Sequence, residues 1–271
     1  MFNIWLELAP LIAIIVALVG LVFWWRWRSD RKEEHAHAEA LTALANTLGG
    51  RVAGPAEVQA WSAGLRPPMA SDTEGFAGWA GTVRQPRFET ALDFRRGDWA
   101  VRLGEASMEK ANSSSSATKH EHRIEVATAL VPPMKIGRRI LVDFRGRPLA
   151  PDRARSAGPA AEAPVTAVQE QRQWLPVRLP EPLDREFTAF STDPSAAAGA
   201  FNPQVVEWML GQAGDNPFVS AIPLLLTFEA GLVYTTSPNR IDPNQVLAKV
   251  DAIIGLLDRM GIAPAHPPVT H

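Results

Sequence analysis

Arg87 to Glu105 reads RFETALDFRRGDWAVRLGE, and this stretch decides the fold class. Phe88, Thr90, Leu92 and Phe94 alternate with Glu89, Ala91 and Asp93; Trp99, Val101 and Leu103 then alternate with Ala100, Arg102 and Gly104. A period of two sends alternate side chains to opposite faces, so two strands are predicted. The intervening Arg95-Arg96-Gly97-Asp98 supplies the turn and makes the pair a hairpin. Arg96-Gly97-Asp98 is read as that turn, not as an adhesion tripeptide.

Working outward, Gly78 to Arg84 predicts a strand before the hairpin, and His122 to Leu130 and Ile136 to Phe144 predict two after it, around Pro132-Pro133. ANSSSSAT at 111–118 is too small and polar to pack, and residues 145–173 are rich in Pro, Ala and Arg, so mobile loops are expected near 107–118 and 145–173. Beyond them, Glu186 to Ser191 predicts a strand, and Asp193-Pro194, Asn202-Pro203 and Asp242-Pro243 each match an N-cap followed by Pro at the first helical position. Phe201 with Val206 and Ile241 with Val246 add hydrophobic staples. Ile222 to Phe228 and Leu232 to Thr236 flank Glu229-Ala230-Gly231 as a second hairpin, and Pro243 to Met260 forms a helix stopped by Gly261. Gly54 to Gly64 predicts a short helix ended by Pro67-Pro68. Clustered strands and hairpins make residues 51–261 an α+β domain, with a mainly antiparallel sheet, helices packed on one face, and a disordered tail at 262–271.

The amino terminus differs from this body. Leu8 to Trp25, LAPLIAIIVALVGLVFWW, is an uncharged run of about 18 residues, long enough to cross a bilayer as a helix. It has no basic leader and no small-residue cleavage site, which separates it from a signal peptide. Residues 4–27 are therefore expected to be a single transmembrane anchor in the lipid bilayer. Trp5 at one end, and Trp24, Trp25 and Trp27 at the other, sit where aromatic belts form, and Arg26 and Arg28 join them at the trailing interface. Arg26, Arg28, Arg31 and Lys32 follow the run and no Lys or Arg precedes it. This asymmetry predicts a single-pass protein of the cell membrane, with its N-terminus outside and its C-terminal domain cytoplasmic. Residues 28–50 predict a helical stalk stopped by Gly49-Gly50, with Leu41, Leu44, Ala45 and Leu48 on one face for docking.

The whole chain has 271 residues, 27 basic and 29 acidic, and no cysteine. Near-neutral charge removes the surplus of cations that a nucleic-acid binder needs, and the missing thiols exclude disulfides, thiolate metal sites and a catalytic cysteine. No phosphate-binding loop, dinucleotide fingerprint or zinc-protease motif occurs; Ala60-Trp61-Ser62-Ala63-Gly64 lacks the first Gly of a nucleophile elbow. No catalytic residue or cofactor is assigned. His120 and His122 would share one face of a strand and could bind Zn²⁺ with a carboxylate, although two solvent-facing histidines beside a Ser-rich loop is the preferred reading. His35 and His37 are expected to be solvated, with His35 and Glu39 at i, i+4. Arg138, Arg139, Arg145, Arg147, Arg153 and Arg155 form the densest cationic stretch, a candidate contact for anionic lipid.

From Phe187-Thr188-Ala189-Phe190-Ser191-Thr192-Asp193-Pro194 through Asn202-Pro203, the Gly231 hairpin and the closing helix, with His122-Arg123-Ile124-Glu125-Val126 before Pro132-Pro133, the chain resembles uncharacterised membrane-anchored bacterial proteins of a domain of unknown function. The likeness covers residues 122–260. It implies one anchor plus one α+β domain and brings no active-site residue. Arg exceeds Lys by 22 to 5, which fits a GC-rich bacterial source. The expected role is a tethered binding or scaffold module for a membrane or cytosolic protein. A hydrolase using Glu121, Glu125 or Asp143, and an extracytoplasmic ligand sensor if the topology is reversed, are the alternatives.

Overall fold

In the computed structural model, which describes residues 4–69, 85–112, 115–139, 174–213 and 225–267, the alternating stretch forms the spine of one antiparallel sheet. Its strands are β1 (Arg51–Val52), β2 (Arg87–Arg96), β3 (Trp99–Asn112), β4 (Ser115–Ala127), β5 (Met134–Arg138), β6 (Leu175–Pro176), β7 (Phe187–Ser191), β8 (Leu225–Glu229) and β9 (Leu232–Pro238). They lie in the order β1-β2-β3-β4-β9-β8-β5-β7-β6. Gly97, at φ 60°, closes the β2–β3 turn, and Arg96 grips Asp251 with Nε and Nη2 at 2.8 and 2.9 Å. The tripeptide at this turn therefore ties the hairpin to a helix behind the sheet.

Period two holds along most of the spine. Leu92 faces Leu103, Phe94 faces Val101, and Leu103 faces Ile124, all buried on the same side. One departure occurs at the start of β2, where the register shifts between Phe88 and Thr90. A bulge of this kind reverses the face of the residue before it. Phe88 therefore leaves the core side, where strict alternation put it, and lies beneath the Arg123 guanidinium, 5.1 Å from its ring centre.

The helices are α1 (Ile4–Thr47), α2 (Glu181–Asp184), α3 (Pro194–Ala198), α4 (Pro203–Ala213) and α5 (Val246–Met260). Asp193 accepts the Ala196 amide and Asn202 Oδ1 accepts the Val205 amide, as N-caps do. At Asp242-Pro243 the expected helix start is a turn. Asp242 Oδ1 takes the Asn244 amide, and regular helix begins at Val246. Gly261, at φ 70°, ends α5 with its own amide on Asp258 and the Ile262 amide on Leu257. Phe201, Val205, Met209, Val246, Val250, Ile253 and Leu257 meet the sheet and the end of α1, represented by Leu41 and Ala45, in one core.

Several expectations are corrected. Residues 107–112 and 115–118 do not form a loop: Glu109 faces Thr118 and Asn112 faces Ser115, so the ladder continues through both stretches. Small polar residues form strands here because backbone pairing does not depend on packing. Residues 54–64 form successive turns rather than a helix, consistent with their scattered apolar residues. The start of the expected tail is tied down, since the Ala129 amide reaches Ala263 and Thr128 bridges Pro264. The strand expected at 78–84 and the loop at 145–173 lie outside the described residues.

Candidate functional site

Helix α1 has two unlike ends. From Leu18 to Trp27 its large apolar side chains are uncovered, Phe23 at 70% and Trp25 at 71% exposure, whereas Leu41 and Ala45 are 2% exposed. Arg28 stacks over Trp24 at 5.4 Å and Arg31 over Trp27 at 4.3 Å, both at helical i, i+4 spacing. Gly49, at φ 62°, stops the helix, and the Gly50 amide returns to Ala45. A Cβ on Gly50 would stand 2.5 Å from the Asp93 carbonyl, so the chain can cross β2 here only as glycine. Among the described residues no helix is long and apolar enough to cross a membrane.

The face of the sheet away from the helices carries charges and is nevertheless buried. Residues 53–69 cross it as an irregular strap. Glu125, with no exposed surface, accepts the Trp61 amide at 2.8 Å, the Ser62 amide at 2.8 Å and the Ser62 hydroxyl at 2.5 Å. Arg123, also fully buried, donates to Ser62 Oγ, to the Arg66 carbonyl and to Glu121, whose other oxygen takes the Met69 amide. Arg102 holds Asp93 at 2.6 and 2.7 Å and donates to the Gln59 carbonyl, with Trp61 stacked at 5.1 Å. Burial raises the Glu125 pKa above the usual carboxylate range, while Ser62, Arg123 and the two amides pull it back. Burial and then Glu229 push the Tyr234 hydroxyl upward on the same face.

This arrangement decides the candidate carboxylates. Glu121 is engaged by the Met69 amide and Arg123, Glu125 by the Trp61 and Ser62 amides and the Ser62 hydroxyl, and among the described residues no histidine is a hydrogen-bond partner of Ser62. Asp143 is outside the described residues.

A third polar group lies where α1 meets the sheet. Glu105 on β3 points to the helix side, 5% exposed, and His37 Nε2 donates to its Oε2 at 2.8 Å. Arg240 Nε stands 3.6 Å from the other oxygen and 3.4 Å from His120 Nε2. His122 Nδ1 donates to the Asn239 carbonyl at 3.1 Å. Burial lowers the pKa of both His120 and His122; Arg240 adds to the effect at His120, and Lys249 adds to it at His122, where the Asn239 carbonyl opposes it. On the helix-side face of β4 His122 is thus buried and His120 half-buried. His37, expected to be solvated, is also engaged. Among the described residues no group of three or more His, Asp or Glu is placed to hold a metal ion.

The cationic stretch is divided. Arg138 has a side chain 3% exposed beside Glu186, and burial lowers its pKa. Arg139 binds Asp184 at 3.0 Å and the carbonyls of Asp184 and Phe187. Both brace β5 against the α2–β7 segment, Arg138 beside Glu186 and Arg139 on Asp184 and two carbonyls. Arg145, Arg147, Arg153 and Arg155 lie outside the described residues. No family model, curated protein or solved structure matches the chain. The strap network and the His37–Glu105 contact escaped sequence reading; the available signal was the density of charge on β3 and β4.

Proposed function

We propose that this chain is a single-pass protein of a bacterial cell membrane, anchored through residues 4–27, whose α+β domain acts as a tethered binding or scaffold module. The observation that carries this reading is the continuity of α1, helical from Ile4 to Thr47, with uncovered apolar residues at one end and core residues at the other. Leu8 to Trp25 supplies the uncharged length for a span, and the Trp and Arg residues after it suit the headgroup level. Counting 14 residues from Trp27 to Leu41 puts the first core contact about 21 Å along the helix from the interface. A tether of this kind confines the domain and raises its effective concentration toward a membrane or cytosolic protein partner. The charge asymmetry favours an outside N-terminus and a cytoplasmic domain. The committed carboxylates favour binding over hydrolysis.

Alkaline carbonate extraction of membranes from cells making the full chain tests the anchor. The protein should stay in the membrane pellet, and removal of residues 2–27 should move it to the supernatant. Full-length protein in the supernatant ends the proposal. A C-terminal reporter active only outside the cytoplasm overturns the orientation and favours the ligand-sensor reading.

A further inference from the structure

The contact between α1 and the sheet is built around one carboxylate with several basic groups. Glu105 accepts from His37 on α1 and lies 3.6 Å from Arg240 in the connection after β9. Arg240 donates its Nε hydrogen to His120 Nε2, which must therefore offer a lone pair and carry its own proton on Nδ1. That Nδ1 is buried with no hydrogen-bond partner among the described residues. His122, two residues along the same face of β4, gives its Nδ1 proton to Asn239, leaving Nε2 as its basic site. The charges that bear on these imidazoles come from Glu89 on β2, Glu105 on β3, Glu121 on β4, Arg240 after β9, Lys249 on α5 and His37 on α1.

We propose that this cluster is a proton-operated latch that holds α1 against the domain near neutral pH and loosens it on acidification. A proton added at His120 Nε2 removes the lone pair that Arg240 uses and sets two cations face to face. Arg240 and the new imidazolium then both compete for Glu105 with His37. His120 and Glu105 are fixed in the sheet, and Arg240 follows directly from β9, with the Asn239 amide bonded to the His120 carbonyl. The separable member is α1, held otherwise by the packing of Leu41, Leu44, Ala45 and Leu48. Protonation of His122 adds a second charge near Lys249. Both imidazoles titrate below the ordinary 6.5, so the latch is closed at pH 7 and opens under acid. The inference stands on the docking of α1, independently of the lipid reading: a chain that proves soluble ends that reading and leaves this test intact.

The absence of cysteine allows spin labels to be placed uniquely on the full chain in detergent, through Ala36→Cys and Lys119→Cys at exposed positions. Electron-electron distance measurement should give a narrow distribution at pH 7.5 and a longer, broader one at pH 5. The H120Q/H122Q protein should stay narrow at pH 5. If near-ultraviolet circular dichroism shows that double variant unfolded, H120Q alone is read, with its broadening midpoint expected at lower pH than that of the parent. Identical distributions at both pH values, or unchanged broadening in the folded variant, overturn the latch.

Discussion

The two faces of the sheet are both buried and are covered in different ways. On one, Leu92, Leu103, Ile124 and Phe228 meet helices α4 and α5 and the end of α1, and contact is apolar and indifferent to direction except at the Glu105 cluster beside α1. On the other, Arg102, Arg123, Glu121 and Glu125 receive a strap, largely through its main chain. Away from the Glu105 cluster, the first face tolerates any cover of suitable shape. The second specifies where the Trp61, Ser62 and Met69 amides and the Gln59 and Arg66 carbonyls must lie, because a charge buried without its partner costs several kcal/mol.

The strongest way to break this comparison is to remove one member of the charged face. Arg123→Met strips Glu121 and Ser62 of their donor and should destabilise the protein by about 3–5 kcal/mol in urea titration. The double change R123M/E121L should lose less than R123M alone, since Glu121 is then not left without its cation and Glu125 keeps Ser62 and the two strap amides. A cost below about 1 kcal/mol for R123M, the scale of an exposed ion pair, would show that these charges do not hold the strap.

Acid and base should then distinguish the faces. Glu125 has a folded pKa raised above 4.5, so its share of stability is complete below that value and is lost as pH rises through the folded one. His120 and His122, lowered from 6.5, act in the other sense: their share is complete above 6.5 and is lost as pH falls. E125Q should abolish the loss on the rising side while leaving the acid-side loss in place, read as unfolding free energy between pH 4 and 8. If both limbs persist in E125Q, the rising limb comes from another group.

The smallest effect calibrates the others, at a turn outside both faces. Ala230, at φ 51°, and Gly231, at φ 75°, form the two-residue connection between β8 and β9, a conformation that disfavours any side chain with Cβ. Ala230→Gly should raise stability by about 0.5–1 kcal/mol, seen as a higher thermal midpoint.

Much of the helix-covered face could be read in advance. Alternation in β2 and β3, the Asp193 and Asn202 caps and the Gly261 stop are local signals whose physics acts within a few residues. The strap face could not. Arg102 and Glu125 occupy the alternate positions of their strands, and periodicity reports polarity without distinguishing water from a polar cover. The same limit hid His37, whose partner Glu105 is 68 residues away. The bulge at Phe88 was invisible because both Phe88 and Thr90 suit either side of a strand.

Helix α1 enters the domain at the margin of the sheet, since it leads directly into β1, an edge strand of two residues. Tension along α1 would therefore load the His37–Glu105 contact and the Leu41 and Ala45 packing before reaching the long β3–β4 ladder. Force applied there would act on the boundary one contact after another instead of shearing many ladder bonds together. Helix detachment would be the compliant first response, and the interior of the sheet would remain mechanically shielded behind it.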